Sequence, residues 1–159
     1  MQKPSFFVNT FIKTGAYIAY FGIILSMKVS PNLHILVVDD CPIVTKQLKL
    51  ILRKKGFKKV QIVDNGADAL SAMITSRNIS DHIQLILLDW NMPKLNGMHF
   101  LQKVKEIPEF VNLPVIMVSG NLNEEDISRA LQNGAAGYVK KPVIAANLFA
   151  EISKTSGQK

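Results

Sequence analysis

Residues 34–40 read HILVVDD, an apolar and largely β-branched run that ends abruptly in two carboxylates. Two later stretches have the same form, IQLILLD at residues 83–89 and LPVIMVS at residues 113–119. Continuous apolar runs of this length are typical of strands that are covered on both faces of a sheet. The sequence therefore predicts a buried parallel sheet with polar side chains where its strands end.

Amphipathic segments separate these runs, which gives five successive strand–helix units. The predicted strands are His34–Val38, Val60–Val63, Ile83–Leu88, Leu113–Val118 and Ala136–Val139. The predicted helices are Pro42–Lys55, Ala67–Ser76, Gly97–Glu106, Glu124–Gln132 and Val143–Ser153. Ile43 and Ile74 are counted among the core-facing side chains of the first two helices. This alternation predicts an α/β fold with a doubly wound parallel sheet.

The composition fits one soluble domain. The chain has 159 residues, of which 48% are apolar and 19% are charged, so a sizeable core is expected and wholesale disorder is not. The single cysteine, Cys41, excludes an internal disulfide, and no Cys/His spacing resembles a zinc site. We expect Cys41 to be a small buried or helix-start residue rather than a redox sensor, because no resolving cysteine exists.

The net charge of +7 raises the question of a nucleic-acid partner. Seven basic residues fall within residues 46–59, but only Phe57 is available there as a stacking platform, and no DNA-reading motif follows. A solvated helix face is the favoured interpretation, and nucleic acid is not expected as a partner.

Residues 1–30 differ from the rest of the chain. They contain Lys3, Lys13 and Lys28, no acidic residue, and an apolar run from Gly15 to Met27. The run is shorter than a membrane span needs. A secretory signal, a membrane-touching segment and a segment outside the working protein, which would then begin at Met27, all remain open, and the last is favoured. We expect residues 31–159 to form the domain, and residues 1–27 to contact a membrane at most.

Polar side chains follow four of the predicted strands. Because ligands bind at the carboxyl ends of parallel strands, we expect these side chains to share one cleft. They are Asp39 and Asp40, Asp89, Ser119 and Lys141. Each residue alone could be an ordinary turn or cap residue, but their joint order argues against that.

This set of side chains has a coherent chemistry. Three carboxylates in one cleft need a cation, and all-oxygen ligands beside a phosphate favour Mg²⁺. Asp89 can serve as a nucleophile that forms an acyl phosphate. Lys141 and Ser119 can then supply a charge and a hydroxyl to the phosphoryl oxygens.

From about Leu33 to Ser153 the chain resembles the receiver family of two-component signalling, and within it the single-domain chemotaxis response regulators. The resemblance rests on LVVDD at 36–40, DWNMP at 89–93 with Gly97, PVIMVS at 114–119 and GAAGYVKKP at 134–142. It implies a flavodoxin-like (βα)5 fold with strand order 2-1-3-4-5.

The same resemblance implies a role for each site residue. Asp89 would be the phosphoacceptor for a histidine kinase, with self-phosphorylation and self-dephosphorylation dependent on Mg²⁺ but no further enzyme activity. The implied metal ligands are Asp39, Asp40, Asp89 and the backbone carbonyl of Asn91. Ser119 and Lys141 are the implied phosphoryl-binding residues, and Ser119 and Tyr138 are the implied switch residues. A cis peptide is implied before Pro142. The family more often has threonine at Ser119, but the hydroxyl is kept.

We expect a cytoplasmic, stand-alone regulator, since the chain ends at Lys159 soon after the fifth helix. Its output would come from a protein target that binds the face formed by residues 124–132, 136–139 and 143–153. A phosphorelay shuttle is the alternative within the class. An aspartate-nucleophile phosphatase of the haloacid-dehalogenase type is the alternative from another class, but Asp39-Asp40-Cys41 lacks its DxD spacing.

Overall fold

The computed structural model describes residues 29–77, 79–92, 96–120 and 123–155. Five strands alternate with five helices. The strands are β1 (His34–Val38), β2 (Lys59–Val63), β3 (Leu85–Asp89), β4 (Val115–Ser119) and β5 (Gly137–Lys140). The helices are α1 (Pro42–Lys55), α2 (Gly66–Ser76), α3 (Gly97–Glu106), α4 (Glu124–Gln132) and α5 (Ala145–Thr155).

All four strand pairs are parallel, and the order across the sheet is β2-β1-β3-β4-β5, which confirms the predicted fold. Successive side chains of a strand point to opposite faces, so each central strand contributes to two cores. Leu36 and Val38 join the cluster that contains Met73 and Leu101. Ile35 and Val37 join the cluster that contains Leu48. This double burial explains the continuous apolar runs.

Local signals set the helix ends. Gly56 ends α1 in a left-handed conformation with φ of 102°, which costs glycine little. Asn65, Asn96 and Asn123 begin α2, α3 and α4, and each side chain accepts a hydrogen bond from a backbone N–H of the first turn. These caps fix the residues at which the three helices begin.

Several predicted boundaries were wrong by one or two residues. β3 begins at Leu85 because the N–H of Ile83 donates to the Ser76 hydroxyl instead of to a neighbouring strand. β4 begins at Val115 because the N–H of Leu113 is used in a turn with Phe110. The remaining corrections are that β2 begins at Lys59, α2 begins at Gly66, β3 ends at Asp89, β4 ends at Ser119, β5 spans Gly137–Lys140 and α5 spans Ala145–Thr155.

Two side chains predicted to face the core are exposed. Ile43 is 78% exposed because Thr45, Leu48 and Leu52 form the buried side of α1, and Ile43 lies on the opposite side. Ile74 is 44% exposed, since Ala69 and Met73 already cover the sheet on the buried side of α2.

The predicted N-terminal segment lies outside the described residues except for Val29 and Ser30, and Val29 packs against the core cluster of α1. Among the helices that the structure describes, none is long and apolar enough to cross a membrane.

Candidate functional site

The strand order brings the predicted polar side chains to one edge of the sheet. Asp39 and Asp40 follow β1, Asp89 ends the adjacent β3, and Ser119 ends the next strand, β4. Lys141 follows β5, which is paired with β4. The carboxyl ends of four neighbouring strands therefore converge, as the fold predicts for a ligand site.

Lys141 connects the two buried carboxylates of this edge. Its Nζ lies 2.7 Å from Oδ2 of Asp39 and 2.9 Å from Oδ1 of Asp89. Burial alone would lower the pKa of Lys141, but its hydrogen bonds with Asp39 and Asp89 raise the pKa overall. The ammonium is therefore charged at neutral pH and fixed at the centre of the site. The peptide bond between Lys141 and Pro142 is cis.

Three carboxylates form a compact cluster. One oxygen from each of Asp39, Asp40 and Asp89 lies within 4.8 Å of the others. Asp39 is held in place because its Oδ1 accepts a hydrogen bond of 2.8 Å from the N–H of Cys41. Asp40 is exposed and faces solvent. The cluster can offer a cation ligands from both the buried and the open side.

Asp89 is 5% exposed and sits in an unfavourable place for a charge. Burial raises the pKa of this carboxyl, and the nearby charge of Asp39 acts in the same direction. The ammonium of Lys141 and the N–H of Asn91 oppose the rise without cancelling it. A further cation would favour the ionised form that a nucleophile needs.

Ser119 is completely buried, and its Oγ has no hydrogen-bond partner in the described part of the chain. A buried hydroxyl without a partner costs free energy, so its position suggests a ligand that it can bind. The backbone joins it to the lysine, since the N–H of Lys141 donates to the carbonyl of Ser119 at 2.8 Å. Tyr138 lies on β5 and is 39% exposed.

Two contacts beside the site were not predicted from the sequence, although Gly97 belongs to a motif that carries the family resemblance. Gly97 begins α3, and a Cβ there would lie 2.1 Å from the carbonyl oxygen of Asp89, so only glycine allows the helix to approach this strand end. Arg129 of α4 places its guanidinium 5.9 Å from the ring centre of Trp90, the neighbour of Asp89. The Asn96-Gly97 pair was a signal for the first contact, but no local spacing indicates the second.

Cys41 occupies the position just before α1, as expected for a helix-start residue, and its side chain makes no capping hydrogen bond. Its backbone, rather than its thiol, supports the site. The role of the Asn91 carbonyl as a metal ligand stays a prediction.

Comparison with known proteins agrees with this geometry. The family model of the response regulator receiver domain matches residues 35–153. The chemotaxis protein CheY-3 of Vibrio cholerae is 33% identical over 123 residues, covering 77% of this chain and 91% of that protein. The chemotaxis protein CheY of Pseudomonas aeruginosa is 35% identical over 122 residues, covering 77% and 94%.

A solved structure gives the same result. The response regulator receiver domain protein from Clostridium thermocellum superposes with a TM-score of 0.70 at 28% identity, covering 79% of this chain and 95% of that one. With the strand order, the acidic cluster and the lysine at the fifth strand all in agreement, this chain belongs to the response regulator receiver family.

Proposed function

We propose that Asp89 accepts a phosphoryl group from a histidine kinase and that the phosphorylated domain signals by binding a protein target. The observation that carries this proposal is the position of Asp89. Its carboxylate contacts the Lys141 ammonium, lies within a cluster of three carboxylates, and ends the strand next to Ser119 with its unpartnered hydroxyl. An attack by an Oδ atom of Asp89 on phosphorus would form the O–P bond of an acyl phosphate. The P–N bond of the kinase's phosphohistidine would break, with the imidazole nitrogen as the leaving group.

The donor set of the cluster fits Mg²⁺. Three carboxylate oxygens within 4.8 Å of one another carry more negative charge than one ammonium offsets. Asp39, Asp40 and Asp89 would hold the ion, and the carbonyl of Asn91 would complete the protein ligands. When bound, Mg²⁺ supplies positive charge that offsets the repulsion between the phosphoryl group and the carboxylates.

Lys141 and Ser119 would bind the new phosphoryl oxygens. Lys141 already lies 2.9 Å from the attacking carboxylate, so little movement is needed for it to follow the added charge. Ser119 would donate its unused hydroxyl hydrogen, which pulls the end of β4 towards Asp89. Tyr138, exposed on the adjacent β5, would turn inward behind it and so carry the change to the surface.

The output surface is proposed to be the face of α4, β5 and α5. It exposes the side chains of Leu131 and Tyr138, together with that of Ile144 just before α5, which fits a protein target better than a charged polymer. The similar proteins from Vibrio cholerae and Pseudomonas aeruginosa are chemotaxis proteins, so a chemotaxis-like output in the cytoplasm is proposed for this chain as well.

Phosphate uptake from acetyl phosphate tests the proposal. The wild-type chain should take up phosphate when Mg²⁺ is present and lose that ability when the metal is chelated. Asp89→Asn should take up none, whereas Asp64→Asn, which removes an exposed carboxylate outside the cluster, should behave as wild type. Uptake by Asp89→Asn at the wild-type rate, or uptake that chelation leaves unchanged, would contradict the proposal.

A further inference from the structure

The solvent face of α1 carries aliphatic side chains that the fold does not use. Ile43 is 78% exposed and Leu50 is 56% exposed, although Leu48 and Leu52 on the other side of the helix are buried. Ile43 and Leu50 are seven positions apart, which places them on the same side of the helix two turns from each other. They form the centre of an outward stripe that no described part of the chain covers.

Basic side chains surround this stripe. Lys46 and Lys54 lie on the same side of α1, and Arg53 lies beside them. No acidic residue occurs between Pro42 and Lys59, and outside this segment the chain has as many acidic as basic residues. Within the described residues these three basic side chains form no ion pair. The whole net positive charge therefore arises from one segment whose outer face is partly apolar.

The chain enters the domain beside the C-terminal end of α1. The N–H of Lys58, two residues after Gly56, donates to the carbonyl of Pro31 at 3.0 Å. Val29 and Leu33 pack against the core cluster that contains the buried side of α1. The segment before residue 29, which is apolar from Gly15 to Met27 and has no acid, is therefore joined to the domain beside the basic end of the helix.

We infer that this outer face of α1, formed by Ile43, Lys46, Leu50, Arg53 and Lys54, binds an anionic phospholipid surface. Aliphatic side chains at the centre of a helix face with long basic side chains around them suit the boundary between acyl chains and headgroups. A nucleic acid fits less well, because two aliphatic side chains would face phosphates and Phe57 is too deeply buried to stack on a base. The inference does not depend on the phosphorylation site.

Vesicle binding by the full chain tests this inference without any phosphodonor. The wild-type chain should bind vesicles of mixed phosphatidylcholine and phosphatidylglycerol, bind pure phosphatidylcholine weakly, and lose affinity as salt rises. Lys46→Gln with Lys54→Gln should weaken binding by about thirtyfold, at about fivefold for each charge near the surface. Leu50→Ser should weaken binding on the order of fivefold without any change of charge.

A matched control removes two charges from the opposite side of the sheet. Arg77→Gln with Lys103→Gln loses the same charge, one position just after α2 and one on α3, and should bind as wild type. Urea unfolding of each variant shows whether the domain is still folded. Equal loss in the control variant, or wild-type affinity in the α1 variant, would overturn the inference. Tighter binding of duplex DNA than of vesicles at the same salt would also overturn the inference, if the α1 variant lost this DNA binding.

Discussion

Asp89→Asn is expected to stabilise the metal-free protein although it removes the proposed phosphoacceptor. Asparagine keeps an oxygen that can accept the hydrogen bond from Lys141, now 2.9 Å from Oδ1 of Asp89. It removes a buried charge that lies within 4.8 Å of two other carboxylates. The free energy of unfolding should therefore rise.

The size of the effect follows from three contributions to the free energy of the Asp89 charge. Repulsion within the cluster and loss of hydration disfavour the charge, and the attraction of Lys141 favours it. At an effective dielectric constant of about 20, each of the two neighbouring carboxylates repels that of Asp89 by at least about 3.5 kcal/mol, or about 7 kcal/mol together, and Lys141 attracts it by about 6 kcal/mol. The two repulsions together exceed the attraction by about 1 kcal/mol, and removing the charge from water costs several kcal/mol more. The balance is unfavourable, in agreement with the raised pKa of Asp89. We expect a gain of at least about 1 kcal/mol for the variant at neutral pH.

Urea unfolding in the presence of a chelator measures this gain. With excess Mg²⁺ the order should reverse, because metal at a hundred times its dissociation constant stabilises the wild type by about 2.7 kcal/mol and binds the variant less well. Asp64→Asn is the control and should change stability by less than about 0.5 kcal/mol. A metal-free Asp89→Asn protein that is less stable than the wild type would refute the electrostatic reasoning.

The pH dependence has a definite sign. Because burial raises the pKa of Asp89, the folded protein keeps this proton to higher pH than the unfolded chain does. The wild type therefore loses stability relative to Asp89→Asn as pH rises from the ordinary value of 3.8 through the folded pKa. The advantage of the variant should vanish in acid, and an advantage that grows as pH falls would contradict this account.

Three further predictions follow from single positions. Ser119→Ala should keep phosphate uptake and raise the stability of the unphosphorylated domain by about 1 kcal/mol, because it removes an unpartnered hydroxyl. It should also weaken target binding by the phosphorylated form, and equal target affinity would remove Ser119 from the switch. Gly97→Ala should lower stability in urea by about 1–3 kcal/mol, whereas Gly120→Ala, with nothing within 4 Å of its Cβ, should not; equal effects would refute the close approach. A chain that begins at Met27 should melt as the full chain does and still take up phosphate, while a large loss of stability would show that the earlier residues pack into the domain.

Most of the fold could be predicted because the central strands are buried on both faces. Val37 and Leu87 belong to runs that alternate with clear amphipathic helices, so the element order and the parallel sheet follow from the sequence. The strand ends could not be predicted as well, because they depend on distant partners such as the hydroxyl that binds the N–H of Ile83. Ile43 was wrongly assigned to the core for a different reason. Apolar side chains of an amphipathic helix usually face the core, but this one is exposed.

The candidate site was predictable as a set of residues but not as an arrangement. Asp39, Asp89 and Lys141 follow strands, and the parallel sheet brings strand ends together. The bridge that Lys141 makes between the two carboxylates depends on the exact course of the turn after β5. The contact of Arg129 with Trp90 depends on the packing of α4 across the site, which no local pattern encodes.

The position of the phosphoryl group tests the central claim most directly. The wild-type chain would be treated with acetyl phosphate and Mg²⁺, reduced with borohydride to convert an acyl phosphate to homoserine, digested, and mapped by mass spectrometry. We expect homoserine in place of the aspartate at Asp89, with Asp39 and Asp40 unchanged. Homoserine at Asp39 or Asp40, or its absence from a chain that has taken up phosphate, would contradict the account.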